Sequence, residues 1–229
     1  ADTLTQILHI GQNEMGRPVE IEFAVNINVK DPSKATFYLL QIRPIVDNKE
    51  VMDEDLTLVK QQDTLLSSTS VLGHGLVTDV QDIIYVKTGA FSSSNNQLIA
   101  YEIEKINRTF LDSGTNYVLV GPGRWGSSDP WLGVPVKWPN ISAAKVIVEA
   151  GLTNYRIDPS QGTHFFQNIT SLGVGYLTVD TVIGDGMVDE EALSAFECVH
   201  DGEFVKLFRA PESLIGCIDR STNKSLIGY

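Results

Sequence analysis

Three polar residues stand within two neighbouring apolar stretches: Glu22 in the run 19–29 (VEIEFAVNINV), and Gln41 with Arg43 in the run 36–43 (TFYLLQIR). Residues two apart on an extended chain project from the same side. Gln41 and Arg43 therefore point together, and Leu40 and Ile42 point the other way. Glu22 shares the polar side of its own run with Glu20, Ala24, Asn26 and Asn28. If the two polar sides coincide, a carboxylate, a carboxamide and a guanidinium converge. A carboxylate is a hard oxygen ligand for magnesium, and a guanidinium grips phosphate oxygens through a planar fork. The set suits a magnesium–nucleotide complex. The plainer reading of the residues alone is a solvated cross-strand pair with no ligand at all.

His164 is the second candidate. It follows Ser160-Gln161-Gly162-Thr163 at the expected start of a short helix over 163–172. A helix start offers unpaired N–H groups and a positive dipole end, which would stabilise a phosphoryl group carried on an imidazole. A neutral imidazole is also a competent nucleophile. The plainer reading is a capping-region or core histidine beside Phe165 and Phe166. His9 and His74 have no partner pattern, and His200 sits in the acidic stretch 197–203. A third candidate is Arg124, inside Gly121-Pro122-Gly123-Arg124-Trp125-Gly126. A glycine-rich turn can aim N–H groups at an anion, with Arg124 adding charge. The pattern matches neither of the known glycine-rich nucleotide loops, and Pro122 removes a donor. It reads first as a structural turn.

The elements that must hold these residues follow from periodicity. Residues 19–29 alternate apolar and polar without a slip, which predicts a half-buried strand. Lys30-Asp31-Pro32-Ser33-Lys34 is turn chemistry, and a second strand over 36–43 ends at Pro44. Together they predict an antiparallel hairpin. Residues 46–65 are polar and irregular. Apolar segments at 70–77 and 82–87 flank Thr78-Asp79, and residues 96–112 carry apolar residues at helical spacing, with Lys105 and Arg108 on the polar side. Strands are expected at 116–120, 144–149, 174–179, 203–209 and within 213–228, with a short helix at 189–196 opened by acidic residues. Residues 127–141, with their prolines, read as loop.

Composition narrows the partners. Of 229 residues, 42% are hydrophobic and 20% charged, as in ordinary globular chains. A formal net charge of −12 argues against general nucleic-acid binding and leaves phosphate-bearing small molecules only where a local cation or N–H cluster exists. No apolar run approaches the ~18 residues of a membrane helix, so no membrane partner is expected. Cys198 and Cys217 lack a CxxC partner, which argues against zinc and for a reduced, cytoplasmic protein. The N-x-S/T triplets at Asn107, Asn140, Asn168 and Asn223 read as chance. Residues 4–10 read as the end of a helix running into Gly11, and with no initiator Met the chain is expected to be a piece of a longer protein.

EIEFAV (20–25) followed by FYLLQIRP (37–44) resembles the paired strands that close the ATP-grasp domain of phosphoenolpyruvate synthases and pyruvate phosphate dikinases. The resemblance covers roughly residues 10–44. It implies that Glu22 binds magnesium and that Gln41 and Arg43 lie by the phosphates of ATP. In that family a mobile domain with a phosphocarrier histidine follows. KVIVEAG (145–151), then His164, then Gly173 nine residues later and the strand after it, are similar to its pattern, as are the strand at 117–120 and Asp129-Pro130. Here Gly162-Thr163 replaces the usual Thr-Ser or Thr-Cys before the histidine, residues 152–161 are inserted, and two aromatics follow His164. The resemblance implies an α+β chain: 1–45 as the end of an ATP-grasp domain, 46–65 as linker, and 66–229 as a mixed β/α swivelling-type domain. It implies ATP and magnesium as cofactors, with phosphate passing through His164 to pyruvate to give phosphoenolpyruvate. The isolated chain would not turn over. Two alternatives stand beside this: a docking or regulatory domain without phosphocarrier activity, and a non-enzymatic mixed-sheet binding domain. Oligomeric state is left open by the sequence.

Overall fold

The computed structural model describes residues 2–15, 19–27, 31, 35–44, 64–73, 75–151, 165, 169–170, 172–180, 184–220 and 222–228. The chain divides into two units, Ala1–Asp47 and Asn48–Tyr229. The first holds helix α1 (Asp2–Met15) and strands β1 (Val19–Asn26) and β2 (Thr36–Pro44), which pair antiparallel. The expected hairpin is there. Helix α1 does not stop at Gly11 as its sequence suggested. A Cβ on Gly11 would lie 2.5 Å from Ile42 Cδ1 and 2.9 Å from Val19 Cγ2. Glycine is used here for close approach of helix to hairpin, and the helix continues past it.

The second unit is built on a mixed sheet in the order β11–β3–β14–β13–β5–β6–β9–β10–β4, with β12 beside β13. These strands are β3 (Thr64–Ser68), β4 (Ser70–Leu72), β5 (Gly75–Val86), β6 (Tyr117–Pro122), β9 (Ala144–Ala150), β10 (Gly175–Val179), β11 (Met187–Val188), β12 (Glu197–Asp201), β13 (Val205–Asp219) and β14 (Lys224–Gly228). Between β6 and β9, the short strands β7 (Arg124–Trp125) and β8 (Gly133–Val134) pair only with each other. β5, β6, β9 and β10 run parallel, and the other pairs of the large sheet are antiparallel. β3 and β4 are separated in sequence by Thr69 alone, yet lie near opposite ends of the strand order. The sheet must therefore curl until its two ends meet, and Ser68 Oγ donates across that closure to the Thr178 carbonyl at 2.6 Å.

Curling gives the parallel strands two buried faces, which is why they read as nearly unbroken apolar runs. Val118, Val120, Val146, Val148, Leu177 and Val179 pack inside the curl. Tyr117, Leu119, Ile147 and Tyr176 face outward into a second core. That second core is covered by helix α2 (Asn96–Ser113), which supplies Ile99, Ile103, Ile106 and Phe110. Gly114 closes the helix in the left-handed conformation, φ 67°. Helix α3 (Glu190–Ala195) starts at Asp189, whose carboxylate accepts from Ala192 N at 2.8 Å, as its acidic opening implied. α2 is locked to the sheet by a buried network. The Tyr117 hydroxyl donates to Asn107 Oδ1 at 2.8 Å, Ala143 N donates to the same oxygen at 3.0 Å, and Asn107 Nδ2 donates to the Pro139 carbonyl at 3.2 Å. Burial pushes the Tyr117 phenol far above its ordinary range.

Three expectations are revised. Thr78-Asp79 does not separate two segments: β5 runs through it, with Asp79 at φ 59° and the β13 ladder shifting register opposite. An Asp tolerates that left-handed conformation better than most residues. β13 likewise runs through Pro211, where the ladder to β5 slips between Arg209 and Leu214 and no N–H is required. β12 was not anticipated, because it is an exposed, polar edge and lacks an apolar rhythm. The coarse expectation holds: the chain is mixed α/β, mostly strand, with a curled mixed sheet and an antiparallel hairpin. Among the described residues, no helix is long and apolar enough to cross a membrane.

Candidate functional site

In the hairpin, pairing sets Glu20 opposite Arg43 and Glu22 opposite Gln41. Directly opposed residues share a face. Glu20, Glu22 and Gln41 thus stand together on one side, away from the side carrying Val19 and Ile42, against which Gly11 of α1 packs, and Arg43 holds the ladder position opposite Glu20. Glu22 is half-buried and Gln41 exposed. A carboxylate and a carboxamide oxygen at opposed positions fit magnesium, which takes one or two protein carboxylates and fills its octahedron with water and phosphate oxygens. Among the described residues, no three His, Cys, Asp or Glu side chains are grouped so as to hold a metal without such a ligand.

The ladder is interrupted directly beside this set. Phe23 pairs with Leu39 where an unbroken register would give Leu40, so Leu40 is an extra residue on β2. The bulge carries Tyr38 opposite Ala24 and therefore onto the face of Glu22. Unbroken alternation would place Tyr38 with Leu40 and Ile42, on the other side. This residue was missed, and the signal for it is absent from a single strand's pattern because a bulge is a property of the pair. Phe23 and Phe37 remain on the α1 side, where their rings stack at 5.1 Å between centroids.

The glycine-rich turn after β6 turns out to be occupied with the fold. Gly123 N donates to Ala150 O at 3.2 Å, Arg124 N to Leu132 O at 2.9 Å, Trp125 N to Glu149 Oε1 at 3.0 Å, and Gly126 N to Val134 O at 2.9 Å. Every N–H from 123 to 126 is thus spent on a protein acceptor, and the turn is no anion cradle. Trp125 is buried, its indole N–H donating to the Val148 carbonyl at 3.0 Å. Gly126, at φ 73°, lies under the Phe165 ring, where a Cβ would come within 2.7 Å of Cγ. Arg124 is half-buried and is engaged with neighbouring groups.

A small open cleft lies at the carboxyl ends of β6, β9 and β10, lined by Gly123, Glu149, Gly151, Thr178 and Asp180 among others. Carboxyl ends of parallel strands are where open α/β sheets bind ligands. Glu149, 4% exposed, is the buried carboxylate there. It was read as one residue of a buried strand, although a glutamate inside the apolar run 144–150 is the signal that could have singled it out. His164 lies outside the described residues, while Phe165, next in sequence, is placed against Gly126 as above. No family model, curated protein or solved structure matches the chain.

Proposed function

We propose that the chain is part of an ATP-dependent phosphotransferase of the phosphoenolpyruvate synthase and pyruvate phosphate dikinase kind, working in the cytoplasm. The observation that carries this reading is the hairpin register, with Glu22 opposite Gln41 and Glu20 opposite Arg43. In this reading Glu22 holds magnesium, Gln41 and Arg43 contact the phosphates of ATP, and His164 takes a phosphoryl group that later passes to pyruvate. Such transfer rests on placement and charge stabilisation. One face of one hairpin is a single wall of a nucleotide site, so the chain alone is expected to produce no ADP or AMP from magnesium and ATP. Sustained product formation would contradict that.

The test uses the full-length protein and ATP labelled at the β-phosphate, comparing wild type with His164→Ala. Phosphohistidine is expected as protein-bound label that survives alkali and is lost in acid, present in wild type and absent from the variant. Label unchanged in the variant would place the carrier elsewhere. No label in either would favour a second reading, in which the second unit is a docking or regulatory domain. The commitment of all N–H groups from 123 to 126 to protein acceptors speaks for that alternative.

A further inference from the structure

The polar face of the hairpin continues past Gln41 into an exposed aromatic. Tyr38 is 51% exposed, and Ala24 opposite it is too small to cover the ring. Among the described residues Tyr38 makes no hydrogen bond and no ring contact, whereas Phe23 and Phe37 on the other face stack on each other. Gln41 and Tyr38 are three residues apart, so a regular strand would put them on opposite sides. They share a side only because Leu40 is inserted into the ladder between them. Bulges of this kind re-aim a side chain and are over-represented beside functional sites. The result is a strip along β2 with the Gln41 carboxamide on one side of the bulge and the Tyr38 ring on the other. Positions 38 and 43 stand opposite Ala24 and Glu20, four residues apart on β1, and so span about 13 Å at ~3.3 Å per residue, the length scale of an extended nucleoside triphosphate.

We propose that Tyr38 is the specificity-determining residue of this face, stacking against the base of a nucleotide whose phosphates lie at positions 41 and 43. This rests on the nucleotide reading given above and adds the orientation of the ligand to it. Ring-on-base stacking tolerates any base, because every base has a π-face. The site would therefore select nucleotides over bare polyphosphates without strongly selecting adenine over guanine.

The whole chain, with magnesium, would be titrated up to millimolar concentrations with ATP and separately with inorganic tripolyphosphate, following protein resonances by NMR. Wild type is compared with Tyr38→Ala and Tyr38→Phe. The expected result is a preference of roughly tenfold for ATP over tripolyphosphate in wild type, kept by Tyr38→Phe and lost in Tyr38→Ala, with tripolyphosphate affinity unchanged throughout. A preference that survives in Tyr38→Ala, or equal binding of the two ligands by wild type, overturns the stacking role and leaves the phosphate reading standing. Binding of neither ligand by wild type overturns both.

Discussion

The two units treat their polar residues in opposite ways. In the hairpin, Glu22 and Gln41 face away from the apolar side, and among the described residues of this unit a helix packs on that apolar side alone. In the curled sheet both faces are buried, and polar groups that look available in sequence are consumed by the fold: Glu149 takes the Trp125 N–H, and Asn107 takes the Tyr117 hydroxyl and the Ala143 N–H. A polar residue in a thin element keeps one side toward solvent, and Glu22 is engaged there with neighbouring groups of the chain. The same residue in a thick element is first required to satisfy buried backbone and hydroxyl groups, each of which costs about 1–3 kcal/mol if left unpaired.

Substitutions in each unit test that contrast. The largest effect is expected from Gly133→Ala. A Cβ there would overlap the Arg124 carbonyl, a backbone-on-backbone clash that no rotamer relieves. Denaturant unfolding should show a loss of more than about 3 kcal/mol, and a loss below 1 would mean that β7 and β8 are not structural. Next comes Asn107→Ala, which strands the Tyr117 hydroxyl and the Ala143 N–H in the core. A cost of about 2–3 kcal/mol is expected from the same measurement.

A smaller effect concerns Tyr85, whose phenol is pushed up to about 12, mainly by burial, while Glu190 accepts its hydroxyl proton at 2.7 Å. A raised folded-state pKa favours the neutral phenol in the native protein. This contribution is fully present below the ordinary value of 10.0 and is lost as pH rises from there through about 12. With solvent screening of a half-buried group, it amounts to on the order of 1 kcal/mol. Tyr85→Phe should flatten the decline in stability between those pH values, and an unchanged slope would assign the decline to other groups. The smallest change in stability belongs to Glu22→Gln, within about 0.5 kcal/mol, although it should abolish magnesium-dependent ATP binding. A large loss of stability with intact binding would reverse the roles assigned to the two units.

Much of the local architecture is legible in residues 19–44: the alternation of Ile21, Phe23 and Val25 against Glu20 and Glu22, and the turn at 30–34, specify a hairpin with an acidic face. The apolar spacing of Ile99, Ile103, Ile106 and Phe110 likewise specifies the buried side of α2, because helix geometry brings those positions to one stripe whatever lies beneath. These features depend on a period carried by one segment. Other features belong to pairs of segments. The bulge at Leu40 exists only in the ladder between β1 and β2, so the side chosen by Tyr38 could not be read from either strand. Gly11 looked like a helix stop until Val19 and Ile42 were brought against it. The turn at 121–126 has the composition of an anion loop, and Leu132 and Val134 from one segment and Glu149 and Ala150 from another take up the N–H groups from 123 to 126. Periodicity within one segment is enough to place most strands and helices and the polar residues they carry, but not the polar edge β12 or the runs of β5 and β13 through their irregular points. Which of those polar groups are already satisfied is settled only in the folded chain, because hydrogen-bond partners and steric contacts arise between segments far apart in sequence.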